Sequence, residues 1–328
     1  MIKFIVKRIL WMIPVLIGVI FVAYTINTFT PGDPVVAVLG STFTQEEYDA
    51  KEAELGLDKP FLVQFFNYVK NIVTRFDFGS SYQSGRPVGE EIMERFPITL
   101  KLGLLSSLVT VIIGIPTGIV SATRQYSRLD YAVTTGTLIL ASLPSFWLGL
   151  MMMLLFALKL GWLPASGISG WKCWIMPVLA QGLAPVCTVT RMTRSNMLEV
   201  IRQDYIRTAR AKGLTENVII KKHALKNALL PVITLVGMQL GTIMGGSIIT
   251  ESIFAIPGMG SLMVTALNNK DYPIILGVII FICVSVSVMN LAVDLTYAFV
   301  DPRIKAKYTS GRKQLRTVRA ERSTGEAA

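Results

Sequence analysis

The chain has 328 residues, 52% of them hydrophobic and only 16% charged, with a mean hydropathy of +0.54 and a net charge of +11. A soluble domain carries about 25% charged residues, so this composition excludes a water-soluble globular protein and points to a membrane. Apolar runs of about 20 residues are read as spanning helices, because ~30 Å of hydrocarbon needs that length. Six such runs occur, at 9–29, 99–122, 133–158, 174–190, 231–253 and 274–299.

The first run follows Lys3, Lys7 and Arg8. It is too long for a signal-peptide core, and no small-x-small cleavage site follows before Pro31, so it reads as an anchor. The segment 31–98 is patterned. Thr44 with Glu47 predicts a capping box, and Gly56 the end of that helix. Pro60 then opens a second helix in which Phe61, Leu62, Phe65, Phe66, Val69, Ile72 and Val73 recur at helical spacing, with Gln64, Asn67, Lys70 and Asn71 between them. Such a helix either lies in the membrane interface or packs on the outer end of the bundle. Phe78-Gly79-Ser80-Ser81 and Gly85-Arg86-Pro87 are turn material, and a short helix over 88–95 leads to Pro97.

The second span carries Gly114 and Gly118 around Pro116. The fourth, the shortest, carries Pro177, Gly182 and Pro185. On the fifth, Gly237, Gly241 and Gly245 fall on one face, with Gly246 beside them. Small residues four apart let helix backbones approach closely in lipid, so this stripe predicts helix packing and, in a moving protein, gating. Polar residues within spans are few. Gln181, Thr188 and Thr190 on the fourth and Gln239 on the fifth are candidates to line a polar pathway. Asp294 is an intramembrane acid with no visible partner at its depth, which leaves a hydrogen-bonding role or a proton relay. Lys101 and Glu251 lie near outer ends, where they are expected to reach water.

Between the fourth and fifth spans lies a basic segment, 191–230. Met197, Ile201 and Tyr205, with Leu198, give an apolar stripe. Asp204 favours a helix start, and 206–212 forms a short helix exposing Thr208, Ala209 and Ala211 between Arg207, Arg210 and Lys212. Gly213 is expected to end it in the left-handed conformation. Thr215 is expected to cap a second helix over 216–229, with Lys221, Lys222 and Lys226 outward, that stops before Pro231. The product is a helix, a glycine corner and a helix, with small residues at the corner and positive charge around it. Small residues admit a backbone to a partner's groove, and arginines can bridge to acidic groups there.

Orientation follows from Lys and Arg. With six spans, one side holds the N-terminus, 123–132, 191–230 and the tail from 300, with three, two, nine and eight basic residues, 22 of the 32. The segment 31–98 on the other side has six basic against eleven acidic residues. Both termini and the basic segment are therefore cytoplasmic. The positive charge follows topology and attraction to anionic lipid, not nucleic acid. Cys173, Cys187 and Cys283 sit in or beside different spans and His223 stands alone, so no metal site is expected. There is no phosphate-binding loop and no nucleophile–base cluster. No catalytic residue is expected.

The segment Asp204 to Pro231 resembles the cytoplasmic coupling loop of binding-protein-dependent ABC importer permeases, and within them the dipeptide/oligopeptide/nickel subgroup. The likeness continues in Pro31-Gly32-Asp33-Pro34, Leu55-Gly56-Leu57-Asp58-Lys59-Pro60, Phe78-Gly79-Ser80-Ser81 and Met192-Thr193-Arg194-Ser195. Further on it takes in Thr250-Glu251 with Ile253-Phe254, Pro257-Gly258-Met259-Gly260, Asp271-Tyr272-Pro273, Asn290 with Val293-Asp294-Leu295, and Asp301-Pro302-Arg303-Ile304. Where the wider superfamily has Glu-Ala-Ala, three residues and Gly, this chain has Arg207-Thr208-Ala209 before Gly213. Its stretch from Gly213 to Leu230-Pro231 is longer, and the subgroup resembles it in both departures.

The resemblance implies an all-α, six-span type I ABC importer permease fold. It implies an N-terminal unit 1–98 and a permease domain 99–306; the basic cytoplasmic tail 307–328 falls outside the resemblance and reads as disordered or lipid-associated. It also implies a pathway shared with a homologous second permease, two ATPase subunits docked through Asp204, Arg207, Thr208, Ala209, Arg210, Ala211, Lys212 and Gly213, and an extracytoplasmic substrate-binding protein. ATP and Mg²⁺ would be bound by the ATPases, with no cofactor on this chain. Di- or oligopeptides are the expected cargo, and nickel or its chelates the alternative. A secondary transporter, which usually shows internal repeats and buried charge, is the competing class.

Overall fold

The computed structural model describes residues 2–40 and 42–300. The tail 307–328 and the Asp301–Ile304 motif lie outside the described residues. Regular structure among the described residues is helical, apart from one isolated antiparallel bridge, Ser80 with Pro87. The helices are α1 Ile2–Phe29, α2 Pro34–Leu39, α3 Gln45–Leu55, α4 Phe61–Arg75, α5 Val88–Thr123, α6 Arg128–Ser142, α7 Ser145–Met152, α8 Trp171–Ile201, α9 Asp204–Ala211, α10 Glu216–Val218, α11 Leu225–Gly246, α12 Ile248–Ile253, α13 Met259–Asn268 and α14 Tyr272–Val300. Two π turns, Met153–Lys159 and Ile219–Ala224, continue α7 and join α10 to α11.

Among the described residues five segments are long and apolar enough to cross a membrane: Ile5–Phe29, Val88–Thr123, Lys172–Ile201, Glu216–Thr242 and Tyr272–Leu295. The third expected span, 133–158, is instead a broken pair, α6 and α7 with its π turn, bent by 95°. Pro144 explains the break, because it forces the preceding residue out of the helical region. Leu143 is extended, with φ −87° and ψ 124°. Taken as one span, this bent pair brings the candidate crossings among the described residues to six.

Three other boundaries differ from expectation. The 88–95 helix does not stop at Pro97 but runs on through Pro97 and Pro116 as α5. The fifth span ends in a turn at Ser247 rather than reaching 253 in one helix. The helix from Glu216 does not stop before Pro231 either, since a π turn absorbs the change in register and α11 passes through that proline. Pro97, Pro116 and Pro231 all stand on exposed positions of their helices, and prolines inside membrane helices are tolerated without ending them.

α5 and α8 form the central pair. A Cβ added to Gly114 would lie 2.9 Å from Val189 Cγ1, one on Gly118 2.6 Å from Thr193 Cβ, and one on Gly182 2.6 Å from the Ser106 carbonyl oxygen. The two backbones meet there because those positions lack side chains. Thr110 Oγ1 donates to the Gly182 carbonyl at 2.7 Å, and the Thr117 and Thr190 hydroxyls are 2.9 Å apart. Thr190 also donates to the Gly114 carbonyl at 3.3 Å. Its hydroxyl is thus used within the α5–α8 interface.

In the segment 31–98 the local expectations at the α3 and α4 boundaries hold. Thr44 Oγ1 accepts from the Glu47 N–H at 3.3 Å while Glu47 Oε2 accepts from the Thr44 N–H at 2.8 Å. Gly56 ends α3 with φ +68°, and α4 starts after Pro60.

Candidate functional site

The cytoplasmic corner is built on the ends of three long helices. α8 has 31 residues, about 46 Å at 1.5 Å per residue. It is therefore longer than the ~30 Å hydrocarbon core and continues through 191–201 as helix. After a short turn α9 folds back on it. Ile206 and Ala209 of α9 are buried with Met197 of α8, Ala122 of α5, Ile219 and Ala224 of the π turn and Ala228 of α11. Gly213 has φ +78° and nothing within 4 Å of where a Cβ would stand. Its N–H donates to the Arg210 carbonyl at 2.9 Å. A side chain there would meet strain in the backbone, not a clash.

Asp204, Arg207, Thr208, Arg210, Ala211, Lys212 and Gly213 are all exposed. Ala209 is not. The expectation that it stands out with Thr208 and Ala211 is corrected, because it sits three residues after Ile206, on the same helix face, and that face is the packed one. Thr215 precedes α10 but makes no capping hydrogen bond. The turn is closed instead by Arg210, whose Nε lies 2.7 Å from Glu216 Oε1. Lys221, Lys222 and Lys226 point outward.

A second brace lies just above the corner. Arg194 of α8 meets Asp130 of α6 through two parallel bonds, Nε to Oδ1 at 2.8 Å and Nη2 to Oδ2 at 2.9 Å. Asp130 is buried and also accepts from the Ser121 hydroxyl and, at 2.9 Å, from the Tyr126 N–H. The α5–α6 turn and the extension of α8 are thus one unit.

The glycine stripe of α11 faces α14. A Cβ on Gly237 would lie 2.3 Å from Val293 Cγ2, one on Gly241 3.4 Å from Val286 Cγ1, and one on Gly245 3.8 Å from Ile282 Cγ2. The approach is tightest at the cytoplasmic end of the stripe. Of the polar residues, Gln181 is buried, Thr188 exposed and Gln239 half-buried. Asp294 has a partner that the sequence did not reveal: Arg8 Nη2 of α1 lies 2.5 Å from its Oδ2. Arg8 reads as a flanking topology signal, and only the α1–α14 packing brings the two together.

Two clasps at the outer end were not foreseen. Glu251, expected to reach water, is fully buried. Its Oε1 accepts from the Thr99 hydroxyl at 2.7 Å and the Ser247 hydroxyl at 2.8 Å, and its Oε2 from the Gly260 and Ser261 N–H groups at 2.7 and 3.1 Å. Thr99 in turn accepts from the Met259 N–H at 2.8 Å. A Cβ on Gly258 would stand 2.4 Å from that carboxylate. The Thr250-Glu251 and Pro257–Gly260 motifs are therefore one structure, tied to α5.

Asp271 acts in the same way on the Phe78–Ser81 turn. It accepts from the Ser81 hydroxyl at 2.5 Å and the Tyr82 N–H at 3.1 Å. Burial, with Asp271 beside it, pushes the Tyr82 phenol up to about 12. Among the described residues no group of three or more His, Cys, Asp or Glu side chains is placed to hold a metal ion.

Two family models match the sequence. Residues 114–306 match the binding-protein-dependent transport system inner membrane component, and residues 1–103 match the N-terminal part of binding-protein-dependent transport system membrane components. The chain is 41% identical to the dipeptide transport system permease protein DppB of Alkalihalophilus pseudofirmus, over 93% of this chain and 100% of that protein. It is 38% identical to the glutathione transport system permease protein GsiC of Escherichia coli K12, over 94% and 100%. Among solved structures, an inward-facing form of the MetNI methionine ABC transporter matches with a TM-score of 0.56 at 19% identity, covering 64% of this chain and 96% of that one. That likeness is one of fold.

Proposed function

This chain belongs to the family of inner membrane components of binding-protein-dependent transport systems, and from that premise we propose that it is one permease subunit of an ATP-driven importer of di- and oligopeptides. As a family member it is a multi-pass inner membrane transport component and not an enzyme. A binding protein and an ATPase are the partners such a system implies. The finer assembly is a homologous second permease completing the pathway, with two ATPase subunits, one on each permease's corner. ATP and Mg²⁺ act on those subunits.

The observation that carries the coupling role is the outward surface of α9. Thr208 and Ala211 are small and exposed, Arg207, Arg210 and Lys212 surround them, and Ile206 and Ala209 fasten the helix to α5, α8 and α11. A push on this surface is delivered to three membrane helices at once, because a packed core moves as a body. The Arg194–Asp130 brace extends that body to α6. The glycine face between α11 and α14, through Gly237, Gly241 and Gly245, is where helices can shift against each other, and Gln181, Thr188 and Gln239 are the polar side chains offered to a pathway.

The cargo reading rests on the relatives. One is named for dipeptides and one for glutathione, and glutathione is itself a small peptide, so its import is the second reading. The test is uptake into vesicles holding the complete transporter and ATP, with radiolabelled dipeptide, glutathione and Ni²⁺ offered in turn with the cognate binding protein. ATP-dependent dipeptide uptake is expected. Uptake driven by an ion gradient without ATP would contradict the reading, and uptake of glutathione or Ni²⁺ alone would replace the cargo.

A further inference from the structure

α4 has more apolar surface than the fold covers. Phe61, Phe65, Tyr68 and Ile72 form its base. Phe65 is buried with Ile20 of α1 and Ile280 of α14, and Tyr68, Val69 and Ile72 pack on that cluster. The Phe65 ring centroid is 5.3 Å from that of Phe21 and 5.8 Å from that of Tyr24, and Phe61 is 6.0 Å from Phe29.

The two flanks of this base differ in kind. At 3.6 residues per turn, Leu62, Phe66 and Val73 stand about 80–120° to one side of it. Gln64, Asn67 and Asn71 stand about 80–140° to the other. Leu62, Phe66 and Val73 are 57%, 67% and 72% exposed. Lys70 and Thr74, with Val63, lie opposite the base. Phe76, at the end of the helix, is 81% exposed and holds φ +53°, an unusual conformation for a residue other than glycine.

A helix resting on protein and otherwise in water would be polar on both flanks. One apolar and one polar flank is the pattern of a helix lying along a boundary between hydrocarbon and water. The level fits. α4 crosses α1 between Ile20 and Phe29, and the apolar stretch Ile5–Phe29 ends there. At the same level α1 also leaves Val22 and Ile26 exposed. Lys70 lies one turn beyond Phe66, so its stem can cover that ring while its ammonium reaches the phosphate level.

We propose that α4 is an interfacial helix of the outer leaflet, with Leu62, Phe66, Val73 and Phe76 among lipid acyl chains, Lys70 at the phosphates, and Asn67 and Asn71 in water. It would fix the height at which α1 leaves the membrane. The lipid is the occupant; a docked protein is the rival that the experiment separates.

The test uses the complete transporter in vesicles of phosphatidylethanolamine and phosphatidylglycerol, with Cys173→Ser, Cys187→Ala and Cys283→Ala removing the native thiols. Single cysteines replace Phe66, Val73, Asn67 or Asn71 and carry a nitroxide. ATPase activity confirms that each labelled complex is assembled. Power saturation should show labels at 66 and 73 relaxed by oxygen and shielded from a water-soluble nickel chelate, and labels at 67 and 71 the reverse. Equal access of the nickel chelate to all four would place the helix in water and overturn the proposal. Labels at 66 and 73 shielded from both reagents would mean that protein covers the flank, which also overturns it.

Discussion

Replacing Gly237 by alanine probes the α11–α14 contact where it is closest. The added methyl would stand 2.3, 2.6 and 3.0 Å from Cγ2, Cγ1 and Cβ of Val293. Carbon atoms at ordinary contact are about 3.5–4.0 Å apart, so one helix must yield by roughly an ångström. Val293 is β-branched and cannot swing aside freely. Overpacking of this kind costs about 1–3 kcal/mol, against a gain of about 0.5–1 kcal/mol for removing a glycine from a helix.

The expected net effect is a loss of about 1–2 kcal/mol. One turn away the sign should reverse. At Gly241 the nearest atom is 3.4 Å from the new methyl, so Gly241→Ala keeps the helix gain without the clash. Val293→Ala removes the two nearest atoms and should restore most of the stability of Gly237→Ala. The assay is the thermal midpoint of the solubilised transporter, followed by the fraction that stays monodisperse after heating. A Gly237→Ala protein as stable as Gly241→Ala, or one not rescued by Val293→Ala, would refute the packing argument.

The Asp130–Arg194 brace should behave as a buried pair. Arg194→Gln strands the Asp130 carboxylate and should cost about 3–5 kcal/mol, while Arg194→Lys keeps the charge without the paired donors and should recover only part; the same thermal midpoint reads both. Glu251→Gln keeps the size of the side chain but turns an amide N–H toward hydrogen-bond donors, and should cost about 1–3 kcal/mol. Gly258→Ala should destabilise the same clasp, and faster proteolysis between residues 247 and 261 would report it in both variants.

Much of this architecture was legible in the sequence because its signals are local. The capping box at Thr44, the glycine stop at Gly56, the start after Pro60 and the left-handed Gly213 each need only neighbouring residues. Spans could be read from hydropathy, yet hydropathy is blind to direction, and so the 95° bend at Leu143-Pro144 passed as one straight run. The two outer clasps show the other limit. Thr99 and Glu251 are 152 residues apart and Ser81 and Asp271 are 190 apart, and no periodicity links them. Ala209 shows a third. On an eight-residue helix a few degrees of roll decide whether an alanine is offered to a partner or packed against Met197 and Ile219. The glycine stripe marked a close approach, but only the packing shows that α14 is the helix it approaches.

The most direct test of the account is a bulky residue on the outward surface of α9, placed where the fold itself is indifferent. Ala211→Trp and Thr208→Trp meet that condition, since both positions are exposed, with Glu46→Trp on α3 as an exposed control away from the corner. The tagged permease is purified from membranes, and the ATPase that accompanies it and the ATP-dependent uptake it supports are measured together. The account predicts that both corner variants insert normally, lose the ATPase and lose uptake, while Glu46→Trp keeps both. Full ATPase association and uptake in Ala211→Trp and Thr208→Trp would contradict it.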